Sequence, residues 1–182
     1  MSALLAVGVV LVAIAVPTPA VAAPVGSFTR QALSAGLSRT QANGLQGKID
    51  NYVQTYGGRQ ISANQVDFDG GLYTATVPGE PAVRNLSAAA ASVDHCTGAA
   101  PLYSGWFCAY RSAGFQGDQL QWYNCGRYNM PWAGTGSWIN NQSDNTDAYL
   151  LNRNLSVVVQ SFAYDASLSV NWTPVWYVDV CY

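Results

Sequence analysis

Few residues in this chain could do acid–base or nucleophilic work. It holds one histidine, His95, beside Asp94, and one glutamate, Glu80. A Ser–His–Asp arrangement would have to use His95, a junction residue ahead of the first cysteine, where little would hold an imidazole rigid. The aspartates of the C-terminal half fall mostly in Asn- and Ser-rich turns, where capping and solvation account for them. Paired carboxylates need a fixed separation that a sequence does not display. The expectation is a protein that is not an enzyme and takes no cofactor. Cys96, Cys108, Cys125 and Cys181 form an even set confined to the C-terminal half. With no Cys-x-x-Cys pair and a single histidine, two disulfides are expected rather than a zinc site, and metal ligands are not expected. Four cysteines allow three connectivities. The favoured one joins Cys96 to Cys108, pinning an entry segment, and Cys125 to Cys181, tying a strand end to the C-terminus.

The 182 residues carry a formal net charge of −2 and few charges of either sign, with Lys48 the only lysine. That leaves no basic stripe for nucleic acid and no cationic face for an anionic membrane. Residues 3–16 are an apolar run followed by Pro17-Thr18-Pro19-Ala20-Val21-Ala22-Ala23. A run this short ending in Ala-x-Ala reads as a signal peptide over 1–22, cleaved after Ala22, rather than a membrane span. Met1-Ser2 departs from that pattern by supplying no basic residue. The expectation is a secreted, extracellular protein without a stable membrane anchor, in a compartment where disulfides persist.

The elements fall into two parts. Residues 23–34 read as extended or mobile. Ser38-x-x-Gln41 is a capping-box signature, and Leu45, Ile49, Tyr52, Val53 and Tyr56 recur at helical spacing up to Gly57-Gly58. Internal Gly44 and Gly47 weaken that helix, at about 1 kcal/mol each relative to alanine. Residues 61–68 and 72–77 alternate around Asp69-Gly70-Gly71, a hairpin signal. This helix-plus-hairpin segment, 23–82, is either a pro-segment removed after export or a permanent accessory module. A small-residue linker, 83–95, follows. All six tryptophans lie in 96–182, where most should be core, with Trp132 or Trp172 expected to protrude beside turn residues.

Residues 107–126, FCAYRSAGFQGDQLQWYNCG, read as strand, tight turn and return strand. Within them Tyr110-x-x-x-x-Phe115-x-Gly117 matches the Y/F/W-x-x-x-x-F/Y-x-G signature of a βγ-crystallin Greek-key motif. A Cys-x-Tyr strand, the Cys125-Gly126 step, Gly136-Ser137-Trp138-Ile139-Asn140-Asn141-Gln142 and a last strand closing on Cys181 accompany it. Together these resemble the secreted actinobacterial proteins of peptidase inhibitor family I36, which are similar to βγ-crystallins in fold. The resemblance covers about 96–182. It implies a mainly β chain whose C-terminal part is a βγ-crystallin-like Greek-key sandwich, with a second Greek key whose signature has degraded: Tyr149 or Leu151 replaces the first aromatic and no Phe-x-Gly follows. The calcium-binding motif of βγ-crystallins would fall on residues 132–137, where Trp132 and Ala133 stand in the acidic or amide positions, so no such site is expected.

What the resemblance implies for function is steric inhibition of an extracellular peptidase, metallo or serine, by a monomer that presents a disulfide-braced loop. Residues 127–136 follow Cys125, and Met130, Pro131 and Trp132 are the candidate contact. An ordinary crossover with a buried tryptophan is the favoured alternative for the same loop. Two other classes stay open: a wall- or glycan-binding module using Trp and Tyr faces, and a killer-toxin-like antimicrobial βγ-crystallin protein.

Overall fold

The computed structural model describes residues 26–86, 94–97 and 100–182. The signal peptide expected over 1–22 and most of the linker's alanine run lie outside the described residues. Helix α2 (Arg39–Tyr56) begins where the capping box requires: the Gln41 amide N–H donates to Ser38 Oγ at 3.2 Å, and the Ser38 N–H donates to Gln41 Oε1 at 3.1 Å. It buries Ala42, Leu45, Ile49 and Tyr52 and ends at Gly57, whose φ of 81° suits glycine. Gly44 has a packing reason to be small, since a Cβ there would stand 3.3 Å from Pro78 Cγ; a Cβ at Gly47 would meet nothing.

Residues expected to be extended instead form helix α1 (Gly26–Ser34). Only Ala32 of it is buried. It is held by packing on α2 and by Gln31 Oε1, which accepts the Ala63 N–H at 2.6 Å. The expected strand 61–68 is also divided, into β1 (Arg59–Ser62) and β2 (Gln65–Phe68). Buried Asn64 makes the break, its side-chain amide donating to the carbonyls of Ala75 and Arg84 at 3.1 and 2.8 Å. Strand β3 (Gly71–Thr74) returns through the Asp69-Gly70 turn, as the sequence suggests.

Eight strands follow: β4 (Trp106–Ser112), β5 (Gln116–Trp122), β6 (Gly126–Asn129), β7 (Thr135–Asn141), β8 (Asp147–Leu151), β9 (Val157–Phe162), β10 (Asp165–Asn171) and β11 (Tyr177–Val180). They make a mainly β chain of two antiparallel sheets, ordered β1-β2-β3-β5-β4-β7-β10 and β6-β11-β8-β9. Two units of four consecutive strands are visible in that order. Each places its first, second and fourth strand in one sheet and sends its third, β6 or β10, to the edge of the other unit's sheet. The helix-plus-hairpin segment continues the first sheet, with Gly71 opposite Trp122 and Tyr73 opposite Leu120. Gly71 allows this approach, because a Cβ would lie 2.5 Å from the Gln121 carbonyl and 2.6 Å from the Phe68 ring.

The main core lies between the sheets and under α2, where Phe107, Leu120, Trp122, Trp138, Leu150 and Trp172 meet Leu45 and Ile49. A smaller cluster of Cys96, Cys108, Tyr110 and Ile139 covers the opposite face of the first sheet. Both faces of β4 are therefore buried, and large aromatic rings add to the apolar burial that a small sandwich needs.

Candidate functional site

The turn between β4 and β5 has the geometry its glycine demands. The Tyr110 and Phe115 rings sit 5.4 Å apart, Phe115 has φ 60° and Gly117 φ 79°. A Cβ on Gly117 would lie 2.8 Å from Ser112 Oγ. Ser137 Oγ locks the fold-over from β7, accepting the Phe115 N–H at 2.8 Å and donating to the Ser112 carbonyl at 2.7 Å. The β8–β9 turn repeats the positive φ of Phe115 but not that of Gly117. Leu150, Leu155 and Val157 stand at the spacing of Tyr110, Phe115 and Gly117, Leu155 has φ 63°, and each hairpin has an irregular register just beyond its first residue.

The cysteines pair as Cys96–Cys108 and Cys125–Cys181, which fits an oxidising, extracellular environment. Among the described residues no helix is long and apolar enough to cross a membrane, and no three His, Cys, Asp or Glu side chains gather as a metal site. His95 lies flat on the Trp106 ring at 4.0 Å; burial lowers its pKa, partly countered by Asp94.

The expected contact loop is not an exposed apolar one. Met130 and Trp132 are buried in the main core, and Pro131 alone of the three is half-exposed. The loop is pinned to the turn before β11: Met130 N–H donates to the Trp176 carbonyl at 2.9 Å, and Gly134 exchanges bonds with Trp172 and Thr173. The expectation that Trp132 or Trp172 protrudes is likewise corrected. Trp172 is fully buried because its indole N–H donates to the Tyr110 carbonyl at 2.9 Å, over Gly136, where a Cβ would collide with the indole. The exposed tryptophan is Trp176, with the Arg153 guanidinium 5.1 Å from its ring centroid.

Large apolar side chains are exposed on β9, β10 and the C-terminus, besides scattered ones such as Ile61 and Leu102. Phe162 is 60% exposed and Leu168 64%, and Leu155, Val157, Tyr164 and Tyr182 are exposed as well. Strand β9 pairs with β8 alone and ends its sheet. The Tyr182 ring stands edge-on to Tyr149 at 4.9 Å, next to the disulfide at Cys181. Tyr149, Leu155, Val157 and Tyr182 rim a shallow hollow of 330 Å³ beside the Arg127–Asp179 ion pair at 2.6 Å. No protein-family model matches the chain, and comparisons with curated proteins and with solved structures find no match.

A second feature lies on the other side of the molecule, around Asp118 of β5. Its side chain is 3% exposed. Oδ1 accepts from Lys48 Nζ at 2.6 Å and from the Thr76 N–H and Oγ1 at 2.8 and 2.7 Å, and Oδ2 accepts from Tyr73 OH at 3.1 Å. Burial alone would raise this carboxyl, but the bonds from Lys48 and Thr76 outweigh it and hold the pKa below the usual carboxylate value. Tyr73 responds the other way, raised by burial and then by the Asp118 charge. This cluster bolts α2 and β3 to β5.

The sequence reading did not single out either feature. Leu155-Ser156-Val157-Val158-Val159 is apolar at both strand parities, which reads as a buried strand; only the topology puts it at an edge. Asp118 left a signal, a lone acid between a turn glycine and the alternating run Gln119-Leu120-Gln121-Trp122.

Proposed function

We propose that this chain is a secreted inhibitor of an extracellular peptidase, built on a βγ-crystallin-like sandwich of two Greek keys and acting as a monomer by steric occlusion. The crystallin reading draws on the folded β4–β5 turn, its partial repeat in β8–β9 and the exchange of third strands between the two units. The contact is assigned to the β9 edge and its flank, in place of the loop around Met130. One observation carries this: Phe162 and Val157 stand exposed on a strand that pairs on one side only, with exposed Leu155 in the turn before it, in a cross-linked frame.

Peptidases bind substrates as extended chain, so a free strand edge can pair with the walls of such a cleft through main-chain hydrogen bonds. The edge is held in advance by β8 and by the Cys125–Cys181 disulfide, so little order is lost on binding. Buried aromatic anchors supply most of the energy in interfaces of about 800 Å² per partner, and Phe162, Tyr149 and Tyr182 suit that role. Titrating the oxidised full chain into a thermolysin-type and a subtilisin-type peptidase tests the reading. Stoichiometric loss of activity in one of them is the expected result, and full activity of both at excess chain refutes it.

A further inference from the structure

Between α2 and the first sheet runs a cleft in two compartments, of 240 and 250 Å³. Tyr52, Tyr56 and Pro131 line both and form the ridge between them. The first compartment adds Asn51, Trp132 and Arg111; the second adds Thr55, Tyr128 and Asn129. The cleft is lined by aromatic rings, with neutral hydrogen-bonding groups in both compartments, and it is not closed off, since Tyr56 is exposed.

The charge in the first compartment is unbalanced. Lys48 spends its three donors on Asp118 Oδ1 and on the carbonyl and hydroxyl of Thr76. Both Asp118 oxygens already accept hydrogen bonds from Lys48, Thr76 and Tyr73. Arg111 therefore faces a carboxylate that is already satisfied: its Nη1 is 3.6 Å from Asp118 Oδ2, and its side chain is 59% exposed. Two cations against one carboxylate leave positive charge at the cleft wall, with a planar fork of donors suited to a second carboxylate.

We propose that this cleft binds an acidic oligosaccharide. Two linked sugar rings straddle the Tyr52–Tyr56–Pro131 ridge, and the ring bearing a carboxylate sits at Arg111. The exposed Tyr56 ring, with Pro131, meets the C–H faces of the rings, Asn51, Thr55 and Asn129 meet hydroxyls, and the guanidinium meets the carboxylate. A simple anion would leave the aromatic walls unused, and a neutral sugar would leave Arg111 with only its long contact to Asp118 at 3.6 Å. This site is separate from the β9 edge and does not rest on the inhibitor reading.

Calorimetry with the oxidised full chain tests it, using trigalacturonate as the probe, cellotriose as its neutral counterpart and phenylacetate as a non-sugar acid. Trigalacturonate should bind at least tenfold more tightly than the other two. Arg111→Gln should weaken trigalacturonate by tenfold or more, the loss expected for a charge-assisted hydrogen bond, while leaving cellotriose unchanged. Tyr56→Ala should weaken trigalacturonate too, with both variants keeping the wild-type near-ultraviolet dichroism. Equal binding of trigalacturonate and cellotriose, equal binding of phenylacetate, indifference to Arg111→Gln, or no binding of trigalacturonate at millimolar concentration would each overturn the proposal.

Discussion

Replacing Asp118 with asparagine keeps the shape of the side chain and removes the charge that joins α2 to the sheet. In the native protein the carboxylate takes bonds at 2.6 to 3.1 Å from Lys48, Thr76 and Tyr73. Breaking a fully buried ion pair costs about 3–5 kcal/mol. Lys48 is 33% exposed and can turn to water, so the loss should be about 2 kcal/mol. For a domain of this size that corresponds to a fall in Tm of about 4–8 °C at pH 7. Acid supplies an independent check. The Asp118 pKa is depressed in the folded state, so its stabilisation is complete above the unfolded value of about 4 and is lost as pH falls through the lower folded value. Wild type should therefore converge on Asp118→Asn below pH 4. Thermal unfolding of both proteins from pH 7 to pH 2, followed by circular dichroism, measures this. Equal Tm values at pH 7, or a difference that persists undiminished at pH 2, would refute the reasoning.

The two disulfides should differ in worth. Their sequence separations are 12 and 56 residues, so chain entropy gives about 3 kcal/mol for Cys96–Cys108 and about 4 kcal/mol for Cys125–Cys181; urea unfolding of the Cys108→Ser and Cys125→Ser variants should rank them in that order. Gly117→Ala should destabilise by about 1–3 kcal/mol through its left-handed backbone and the contact with Ser112, and Gly136→Ala should do at least as much by displacing Trp172, with tryptophan fluorescence reporting the second change. Burial lowers the His95 pKa, so stability should decline as pH falls from about 6.5, the unfolded value, toward the folded one; proton NMR of this single histidine should give a pKa below 6.5.

Features set by local chemistry were legible in the sequence, and features set by distant partners were not. The capping box at Ser38 and Gln41, the Asp69-Gly70 turn and the Tyr110, Phe115 and Gly117 pattern each appear as residue types at fixed spacing, and each forms. The helix at 26–34 and the break at Asn64 depend on bonds to residues far along the chain, so no local period announces them. The pairing of β3 with β5 turns on Gly71 fitting against the Gln121 carbonyl, which the doubled glycine alone does not reveal. The second hairpin was obscured because Leu150, Leu155 and Val157 stand where the first has Tyr110, Phe115 and Gly117, so neither the aromatics nor the glycine advertise it. Trp172 beside turn residues looked exposed; Gly136, in a different strand, opens the slot that buries it. The exposure of the β9 residues was hidden for the same reason, since apolar side chains mark a strand without saying whether another strand covers it.

The most direct measurement is a paired inhibition titration of the wild-type chain and Phe162→Asp against the peptidase that the wild type stops. Phe162 is 60% exposed, so the substitution should leave the stability within about 0.5 kcal/mol of the wild-type value. Loss of a central aromatic contact of about 2 kcal/mol should weaken inhibition by about 30-fold. Wild type inhibiting stoichiometrically while Phe162→Asp does so at least that much more weakly, with Tm unchanged, is the predicted result. Equal inhibition by the two would contradict the β9 edge as the contact, and no inhibition by either would contradict the inhibitor itself.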